Sequence, residues 1–484
     1  MDYWIPSRLI EINPSTRLRL VTRDELQKAC PDGRVNYFTL SHVWGQGQFL
    51  TLAKQNFEDL MKGIDLSMLP QCFQDAVLLT MQLGGRYIWI DSLCIIQDSP
   101  EDWVTESGLM HRVYSNGICN LAASNQSSSN PGLFCRRDPA MGAPFTVDCS
   151  WSDHFESITV FADLFEVVML HAPLYRRGWV TQEQALSPRT IHMAAFPLWE
   201  CRQRVFSEML PSKDYCVKYG PLTKTSKFCF GAKGQDFEEY WGNTVAQYSA
   251  CALTKESDKL VALCGIAKAL SEHFGQEYYA GIWASNLLSG LLWQVHKFTN
   301  GVDMNTTRYA TYIAPSWSWA SVKGPVYPFS DVITEPLVDI LAVETQPRDG
   351  DHFGQLKGGT LTMGGVMFKF PPLTLLMGDW DSFTRNASSD EWALGLDDCG
   401  KHYYESETWF LPLALAPDVS PREGLDIPGI LLQKATESST RSKFTRVGYA
   451  VVNHDGEIAG SGWFVKNWIQ RPWGQEHYCT VTVE

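Results

Sequence analysis

The sequence predicts an α/β fold: a parallel sheet flanked by helices, followed by a helical segment and a β-rich C-terminal region. Three observations lead to this fold class. Strand-like and helix-like segments alternate from residue 37 to residue 122, apolar residues recur at three- and four-residue steps from 237 to 298, and glycines divide strand-like segments beyond 325. The 484 residues, 44% of them hydrophobic, are enough for two or three domains.

The alternating elements are, in chain order, a strand over residues 37–45, a helix over 69–83, a strand over 86–91, a helix over 99–114 and a strand over 118–122. Gly45 and Gly47 favour a turn after the first strand. Pro70 suits the first turn of the first helix, and Gly84 ends that helix. The 86–91 run is almost wholly apolar, as expected of a parallel strand covered on both faces. Ligands of such sheets bind beyond the carboxyl ends of the strands, so the segments that follow the strands are the first candidates for a site.

Composition and charge exclude several classes of function. The formal net charge of −14 and the sequence pI of about 5.3 do not suit a protein that binds nucleic acid through clustered lysines and arginines. The N-terminus lacks the layout of a signal peptide, and no segment approaches the roughly 20 apolar residues of a membrane span, which predicts a cytoplasmic protein without membrane contact. The thirteen cysteines form no C-x-x-C pair, so we expect reduced thiols and no metal site.

Residues 177–183, Arg-Gly-Trp-Val-Thr-Gln-Glu, form the most informative segment. Trp179 and Glu183 are four residues apart, so on a helix their side chains share one face and present a flat aromatic wall beside a carboxylate. Gln182 is able to bond a ligand or to cap the sheet edge. The same spacing also suits a tryptophan buried in the core beside a structural glutamate. The segment is therefore a candidate site with a structural alternative.

Five segments of the chain occur together in one order: residues 40–45, 69–75, 89–98, 102–114 and 177–183. In this order they resemble the heterokaryon incompatibility (HET) domain of fungi. Further segments are similar to the rest of fungal HET proteins, at residues 253–254, 258–267 and 315–321. On this resemblance the chain divides into four parts: an N-terminal extension packing on the HET domain (1–36), the HET domain (37–205), a helical region (206–325) and a β-rich C-terminal domain (326–484).

The resemblance implies a cytoplasmic role in fungal self/non-self recognition, in which HET domains trigger heterokaryon incompatibility and programmed cell death. Such a role implies protein partners and is compatible with a homo-oligomer. The HET family in turn resembles TIR domains, which carry a serine-containing loop after a strand and a later helix with Trp and Glu four residues apart. In enzymatic TIR domains this glutamate cleaves the nicotinamide–ribose bond of NAD. The resemblance thus implies a nucleotide substrate, NAD, and assigns catalysis to Glu183.

The ligand-binding residues implied by this layout are Ser41, His42, Trp44, Gly45, Asp91, Arg177, Trp179 and Gln182. The chain departs from the TIR pattern because Val180 replaces a cysteine, and because His42 and Trp44 replace phenylalanine and arginine. Because the chain lacks that loop arginine, other donors would have to contact the phosphate. These are the backbone N–H groups around Gly45 and Gly47, Arg86 or Arg177.

Two other functions remain open. Cys94, His42 and Asp91 offer a thiol, a base and an orienting acid, which would suit a thiol-dependent HET-like enzyme of small-molecule biosynthesis. Cys94 also lies in an apolar run, where a thiol that fills the core is the structural alternative. The second function is a signalling or assembly module without catalysis.

Overall fold

The computed structural model of the chain forms two compact units, Met1–Gln235 and Asp236–Glu484. It describes residues 4–13, 17–30, 33–45, 47, 49–127, 131–136, 145–151, 154–160, 168, 171–203, 205–208, 227, 237–295, 298–299, 302–303, 306–328, 333, 335–369, 394–397, 407–417, 425–435, 443–453 and 478–484. In this part of the chain no helix is both long and apolar enough to cross a membrane. The boundaries of the four predicted parts of the chain, after residues 36, 205 and 325, stay predictions.

The first unit contains an eight-stranded sheet whose four central strands are parallel. The strands of this unit are β1 (Arg8–Ile12), β2 (Leu18–Thr22), β3 (Tyr37–Ser41), β4 (Tyr87–Trp89), β5 (Cys119–Ala122), β6 (Phe145–Trp151), β7 (His154–Val160), β8 (Arg189–His192), β9 (Leu198–Cys201) and β10 (Val205–Ser207). Their order in the sheet is β10-β9-β8-β5-β3-β4-β1-β2, and β6 and β7 pair as a separate hairpin.

The sheet contains both parallel and antiparallel strands. This corrects the prediction of a parallel sheet, while the predicted α/β class is confirmed. On one edge β1 pairs antiparallel with β2 and β4, and on the other edge β8, β9 and β10 pair antiparallel. Short connections allow the β1–β2 and β8–β9–β10 pairs, because antiparallel neighbours need only a tight turn whereas parallel ones need a long crossover. Glu11 on β1 is buried, and both Arg19 and Arg86 donate to its carboxylate.

The helices of the first unit lie between the strands along the chain. They are α1 (Arg23–Ala29), α2 (Phe57–Lys62), α3 (Gln71–Gln82), α4 (Asp91–Cys94), α5 (Pro100–Asn116) and α6 (Gly178–Leu186). The helices predicted over residues 69–83 and 99–114 are confirmed, with ends shifted by one or two residues. Two residues beyond α3, Gly84 adopts a φ of 77°, which suits glycine, and α5 begins with Pro100.

Among its described residues, the second unit begins with three helices: α7 (Phe237–Ser249), α8 (Val261–Phe274) and α9 (Leu287–Leu291). They confirm a helical segment. The helical pattern predicted up to residue 298 is wrong beyond Leu291, because Gln294–Val295 pairs as a strand with Val326–Tyr327. The short strands here are β11 (Tyr278–Tyr279), β12 (Ile282–Trp283), β13 (Gln294–Val295), β14 (Phe298–Thr299), β15 (Val302–Asp303), β16 (Thr307–Arg308), β17 (Val322–Lys323) and β18 (Val326–Tyr327).

A ten-stranded sheet follows, which confirms the predicted β-rich C-terminal region. Its strands are β19 (Glu335–Pro336), β20 (Asp339–Pro347), β21 (Leu356–Val366), β22 (Phe368–Lys369), β23 (Leu394–Leu396), β24 (Thr408–Pro412), β25 (Ala414–Pro417), β26 (Leu425–Lys434), β27 (Lys443–Asn453) and β28 (Tyr478–Val483). The β27–β28 pair is parallel and the other described pairs are antiparallel. Gly350, in the turn between β20 and β21, has a φ of 79°.

Candidate active site

The carboxyl ends of β3 and β4 bring three of the predicted site residues together. His42 directly follows β3, and Asp91 begins α4 shortly after β4. The Nε2 atom of buried His42 lies 3.7 Å from Oδ1 of Asp91, which is too long for a hydrogen bond. The indole N–H of Trp44 donates to Oδ2 of Asp91 at 2.8 Å. These three side chains thus share one edge of the sheet.

Glu183 comes to this edge from α6. Its side chain is 4% exposed, and its Oε2 atom has no hydrogen-bond partner among the described residues. Burial raises the pKa of Glu183 to about 7, while Arg177 and the hydroxyls of Ser41 and Tyr114 oppose the rise and Asp91 adds to it. A carboxyl that is buried, incompletely paired and half-ionised near neutral pH is typical of a functional site.

A buried polar network holds Ser41 at the end of β3. The Ser41 Oγ atom and the side-chain amide of Asn120 bond each other at 3.0 and 3.2 Å, and Asn120 also accepts from Thr39. The Tyr114 hydroxyl donates to the Leu40 carbonyl at 3.4 Å, and burial raises the pKa of Tyr114 well above its ordinary value, so the hydroxyl stays protonated. Sequence reasoning missed Asn120 and Tyr114. The available signal for Asn120 was an amide in the middle of an apolar strand.

His42 is a neutral side chain in this site. Burial lowers the pKa of His42, the charge of Arg177 lowers it further, and Asp91 opposes the shift. Nε2 has no hydrogen-bond partner in the described part of the chain, and the ring packs edge-on against Phe73 with centroids 4.8 Å apart. Arg177 donates from Nη1 to the backbone carbonyl of His42. The arginine before α6 therefore fixes the backbone that follows β3.

The loop after β3 is open to solvent at Trp44 and Gly45. Trp44 is 39% exposed although its indole bonds Asp91, and its ring contacts Phe49 edge-on at 5.9 Å between centroids. A Cβ atom added to Gly45 would meet no atom within 4 Å. The described residues thus leave room for a ligand beside this backbone.

Three other predicted residues have different surroundings. The half-buried Trp179 packs edge-on against Trp103 with centroids 6.5 Å apart, and its role as an aromatic wall for a ligand stays a prediction. Gln182 is fully buried in α6. Arg86 donates to Glu11 through Nε and Nη2 at 3.1 and 2.6 Å, so its guanidinium is already engaged by a carboxylate.

Cys94 is fully buried in α4. Arg8 donates from Nε to the backbone carbonyl of Cys94 at 2.7 Å. Burial raises the pKa of the Cys94 thiol to about 12, which leaves about one thiolate in 10⁵ molecules at pH 7. The thiol-dependent alternative stays a prediction, and the burial of this side chain does not favour it.

A second set of polar side chains, the buried charge cluster, consists of the buried Ser124, His192, Glu200 and Lys227 and the half-buried Tyr175. Ser124 Oγ and the Tyr175 hydroxyl lie 2.8 Å apart, the hydroxyl bonds Nδ1 of His192, and Nε2 of His192 lies 3.0 Å from Oε2 of Glu200. Nζ of Lys227 lies 3.7 Å from the same carboxylate oxygen. Burial alone would raise the pKa of Glu200, but Lys227 and His192 lower it overall, so Glu200 is ionised.

Lys227→Met is expected to lower the free energy of unfolding by about 3 kcal/mol, because a buried carboxylate loses its cation. The change also removes the ammonium that donates to the Gln184 carbonyl at 2.6 Å and to the Thr190 hydroxyl at 2.9 Å. Chemical denaturation of the whole chain measures the loss. The exposed Lys28→Met in α1 is the control, with an expected change below about 0.5 kcal/mol. A loss from Lys227→Met below about 1 kcal/mol would contradict a buried ion pair.

The fold and the site define an α/β domain with a buried carboxylate and an open loop near the carboxyl ends of its parallel strands. Within the described residues, no group of three or more His, Cys, Asp or Glu side chains is arranged to hold a metal ion. Residues 37–183 match the family model described as Heterokaryon incompatibility protein (HET). Residues 37–183 therefore form a HET domain, which confirms the resemblance of the five segments between residues 40 and 183. No curated protein and no solved structure matched the chain.

The matched segment covers the whole candidate site. It begins at the first residue of β3 and ends at Glu183, so every predicted catalytic and ligand-binding residue lies inside it. Three members of the buried charge cluster, His192, Glu200 and Lys227, follow the matched segment. The candidate site is thus part of the HET domain, and the cluster joins that domain to the residues after it.

Proposed function

We propose that this HET-domain protein has a TIR-like domain that hydrolyses the nicotinamide–ribose bond of NAD, in fungal self/non-self recognition in the cytoplasm. The observation that carries the proposal is Glu183, a buried carboxyl with an unpaired oxygen and a pKa of about 7. The resemblance to TIR domains, in which a glutamate on the similar helix cleaves this bond, supports the same residue.

Hydrolysis of NAD at this bond needs one carboxylate and no acid. The bond between the nicotinamide nitrogen and C1′ of the ribose breaks, its electron pair neutralises the pyridinium ring, and an oxocarbenium-like ribose remains. The ionised form of Glu183 stabilises this positive charge. Water then adds at C1′ and releases one proton to solvent. The products are nicotinamide and ADP-ribose.

The neighbours of the carboxylate suit this reaction. The hydroxyls of Ser41 and Tyr114 lower the pKa of the carboxyl and so favour its ionised form. Trp44 offers an exposed indole face on which the nicotinamide ring stacks. The backbone at Gly45 is accessible to the pyrophosphate, and the positive charge of Arg177 favours the ionised form of the carboxyl.

The test is incubation of the purified chain with NAD and separation of the products by liquid chromatography. We expect nicotinamide and ADP-ribose from the natural protein, and neither from Glu183→Gln. Glu106→Gln is the matched control and should retain activity, because Glu106 is about as buried as Glu183 but pairs with Arg8 at 3.4 Å and is not among the proposed NAD-binding residues. NAD left intact by the folded natural protein would overturn the proposal and favour a non-catalytic assembly module with protein partners.

A further inference from the structure

The indole ring of Trp44 is held at the candidate active site by one polar contact. Trp44 lies in the loop after β3 and is 39% exposed. An indole has a single polar atom, and in Trp44 this Nε1 atom donates to Oδ2 of Asp91 at 2.8 Å. A hydrogen bond to a carboxylate is stronger than one to a neutral acceptor. Asp91 is therefore the polar anchor of this exposed ring.

Aromatic contacts cover part of this ring but do not set its direction. The Phe49 ring stands edge-on to Trp44 with centroids 5.9 Å apart, and His42 lies nearly parallel to Trp44 with centroids 6.3 Å apart. Apolar contacts of this kind are largely non-directional. A Cβ atom added to Gly45 or Gly47 would meet no atom within 4 Å, so neighbouring groups do not confine the loop backbone there. The direction of the ring is therefore set by its hydrogen bond to the carboxylate.

Asp91 is itself fixed by the start of α4. Its Oδ1 atom accepts the backbone N–H of Ser92 at 2.6 Å, and its backbone carbonyl accepts that of Ile95 at 3.0 Å. A carboxylate with one oxygen bonded to the backbone cannot rotate freely, so it presents its other oxygen in one direction. Asp91 thus links the loop after β3 to the rigid end of β4.

The anchored ring belongs to the same site as Glu183. The charge of Asp91 raises the pKa of Glu183, and it opposes the fall in the pKa of His42. Effects of this kind need charges that lie close together. The nicotinamide ring of NAD is a flat cation, and the face of an indole attracts such a cation by stacking and by its π-electrons. The ring that Asp91 holds is therefore suited to bind the part of NAD that reacts.

We propose that Asp91 is a positioning residue, which fixes the indole of Trp44 before NAD binds so that the nicotinamide ring stacks on it. The inference rests on the proposed NAD reaction and identifies the residue that prepares its binding site. A ring that is already ordered in the free protein loses no further freedom on binding, and this strengthens binding. In this role Asp91 acts through Trp44 and forms no bond to the reacting atoms.

The test is a double-mutant cycle on NAD affinity, measured by calorimetry on the whole chain carrying Glu183→Gln, so that binding is separated from turnover. Asp91→Ala should weaken NAD binding about fivefold or more, because the ring must then be ordered on binding. Trp44→Phe keeps a flat ring without the N–H and should weaken binding as well. In the double variant the loss should exceed that of Trp44→Phe by less than about twofold, because the two residues act as one unit. An unchanged affinity in Asp91→Ala, or losses that multiply in the double variant, would overturn the proposal.

Two further variants control for effects on the fold. Asp98→Ala removes another carboxylate near the start of α5, one that accepts the backbone N–H of Lys54 at 2.9 Å and does not bond Trp44, so NAD affinity should stay the same. If Asp91→Ala fails to fold, Asp91→Ser replaces it, because its hydroxyl keeps a polar group at the start of α4 but is too short to reach the indole. A folded Asp91→Ser protein with unchanged affinity refutes the proposal, and weakened binding supports it.

Steady-state kinetics with Glu183 intact gives a second measurement. Asp91→Ala should raise KM about fivefold or more without lowering kcat at pH 7, because loss of the Asp91 charge lowers the pKa of Glu183 and ionises more of it. An aspartate needed only for the fold would lower kcat instead, and this result would overturn the proposal. NAD binding that follows the cycle without any turnover would refute the proposed reaction alone. Absence of NAD binding would refute both.

Discussion

Glu183→Gln is expected to lower NAD turnover on the order of a thousandfold without loss of the fold. The amide has nearly the shape of the carboxylate but carries no charge to stabilise an oxocarbenium-like ribose. The loss should appear in kcat, with a smaller change in KM, because the missing interaction forms mainly in the transition state. Steady-state kinetics measures both values. A variant that keeps more than about a tenth of the natural kcat would contradict a catalytic role for this carboxylate.

The same variant should be more stable than the natural protein above pH 7. Burial raises the pKa of Glu183 from 4.5 to about 7, so between these pH values the folded protein holds a proton that the unfolded chain has released. The natural protein therefore loses up to about 3 kcal/mol as the pH rises from 4.5 to 7, and glutamine avoids this loss. Denaturation at two pH values checks the sign: we expect a gain at pH 8 and little change at pH 4.5.

The two measurements on Glu183 separate a catalytic carboxylate from a structural one. If a catalytic carboxylate lowers the stability of the folded protein, its replacement lowers activity and raises stability. Replacement of a carboxylate that forms a structural ion pair lowers stability at neutral pH. A less stable Glu183→Gln protein at pH 8 would therefore assign the residue to the structure of the domain.

The central strands of the first unit could be predicted because β3, β4 and β5 are apolar and are followed by turn or helix signals. Strand β1, which lies between β4 and the edge strand β2, could not be predicted in the same way, because Arg8 and Glu11 give it a polar pattern. Both charges are buried only because distant residues pair with them, Asp102 with Arg8 and Arg86 with Glu11. A local sequence pattern does not identify such distant partners. The mixed sheet could therefore be seen only in the structure.

In the candidate site, too, some residues could be predicted from the local sequence and others could not. His42 and Asp91 follow strands whose carboxyl ends must meet at one edge of a parallel sheet, so their proximity was predictable. Tyr114 lies on a helix, and Asn120 lies within a strand rather than after one; their roles depend on which strand is the neighbour of β3. Lys227 has no local signal at all, since its position beside Glu200 is fixed by long-range folding.

Arg446 is a wholly buried cation in the second unit. Its guanidinium donates to the two carboxylate oxygens of Asp397 at 3.0 and 3.2 Å, and to the backbone carbonyls of Leu291 and Trp293. It also lies 3.6 Å from the centroid of the Trp293 ring. Arg308 donates to the same carboxylate at 2.9 Å, so two cations share one anion. These contacts join β27 to the segment around α9.

Arg446→Met is expected to lower the free energy of unfolding by about 5 kcal/mol, the upper end of the range for a broken buried ion pair. Asp397 keeps Arg308 but loses its second cation, and two buried carbonyls lose a donor. Arg446→Lys should recover only part of this loss, because an ammonium cannot span the carboxylate and both carbonyls at once. Urea denaturation followed by tryptophan fluorescence measures each change, with the exposed Arg348→Met as control. A loss below about 1 kcal/mol would mean that apolar packing alone holds β27 in place.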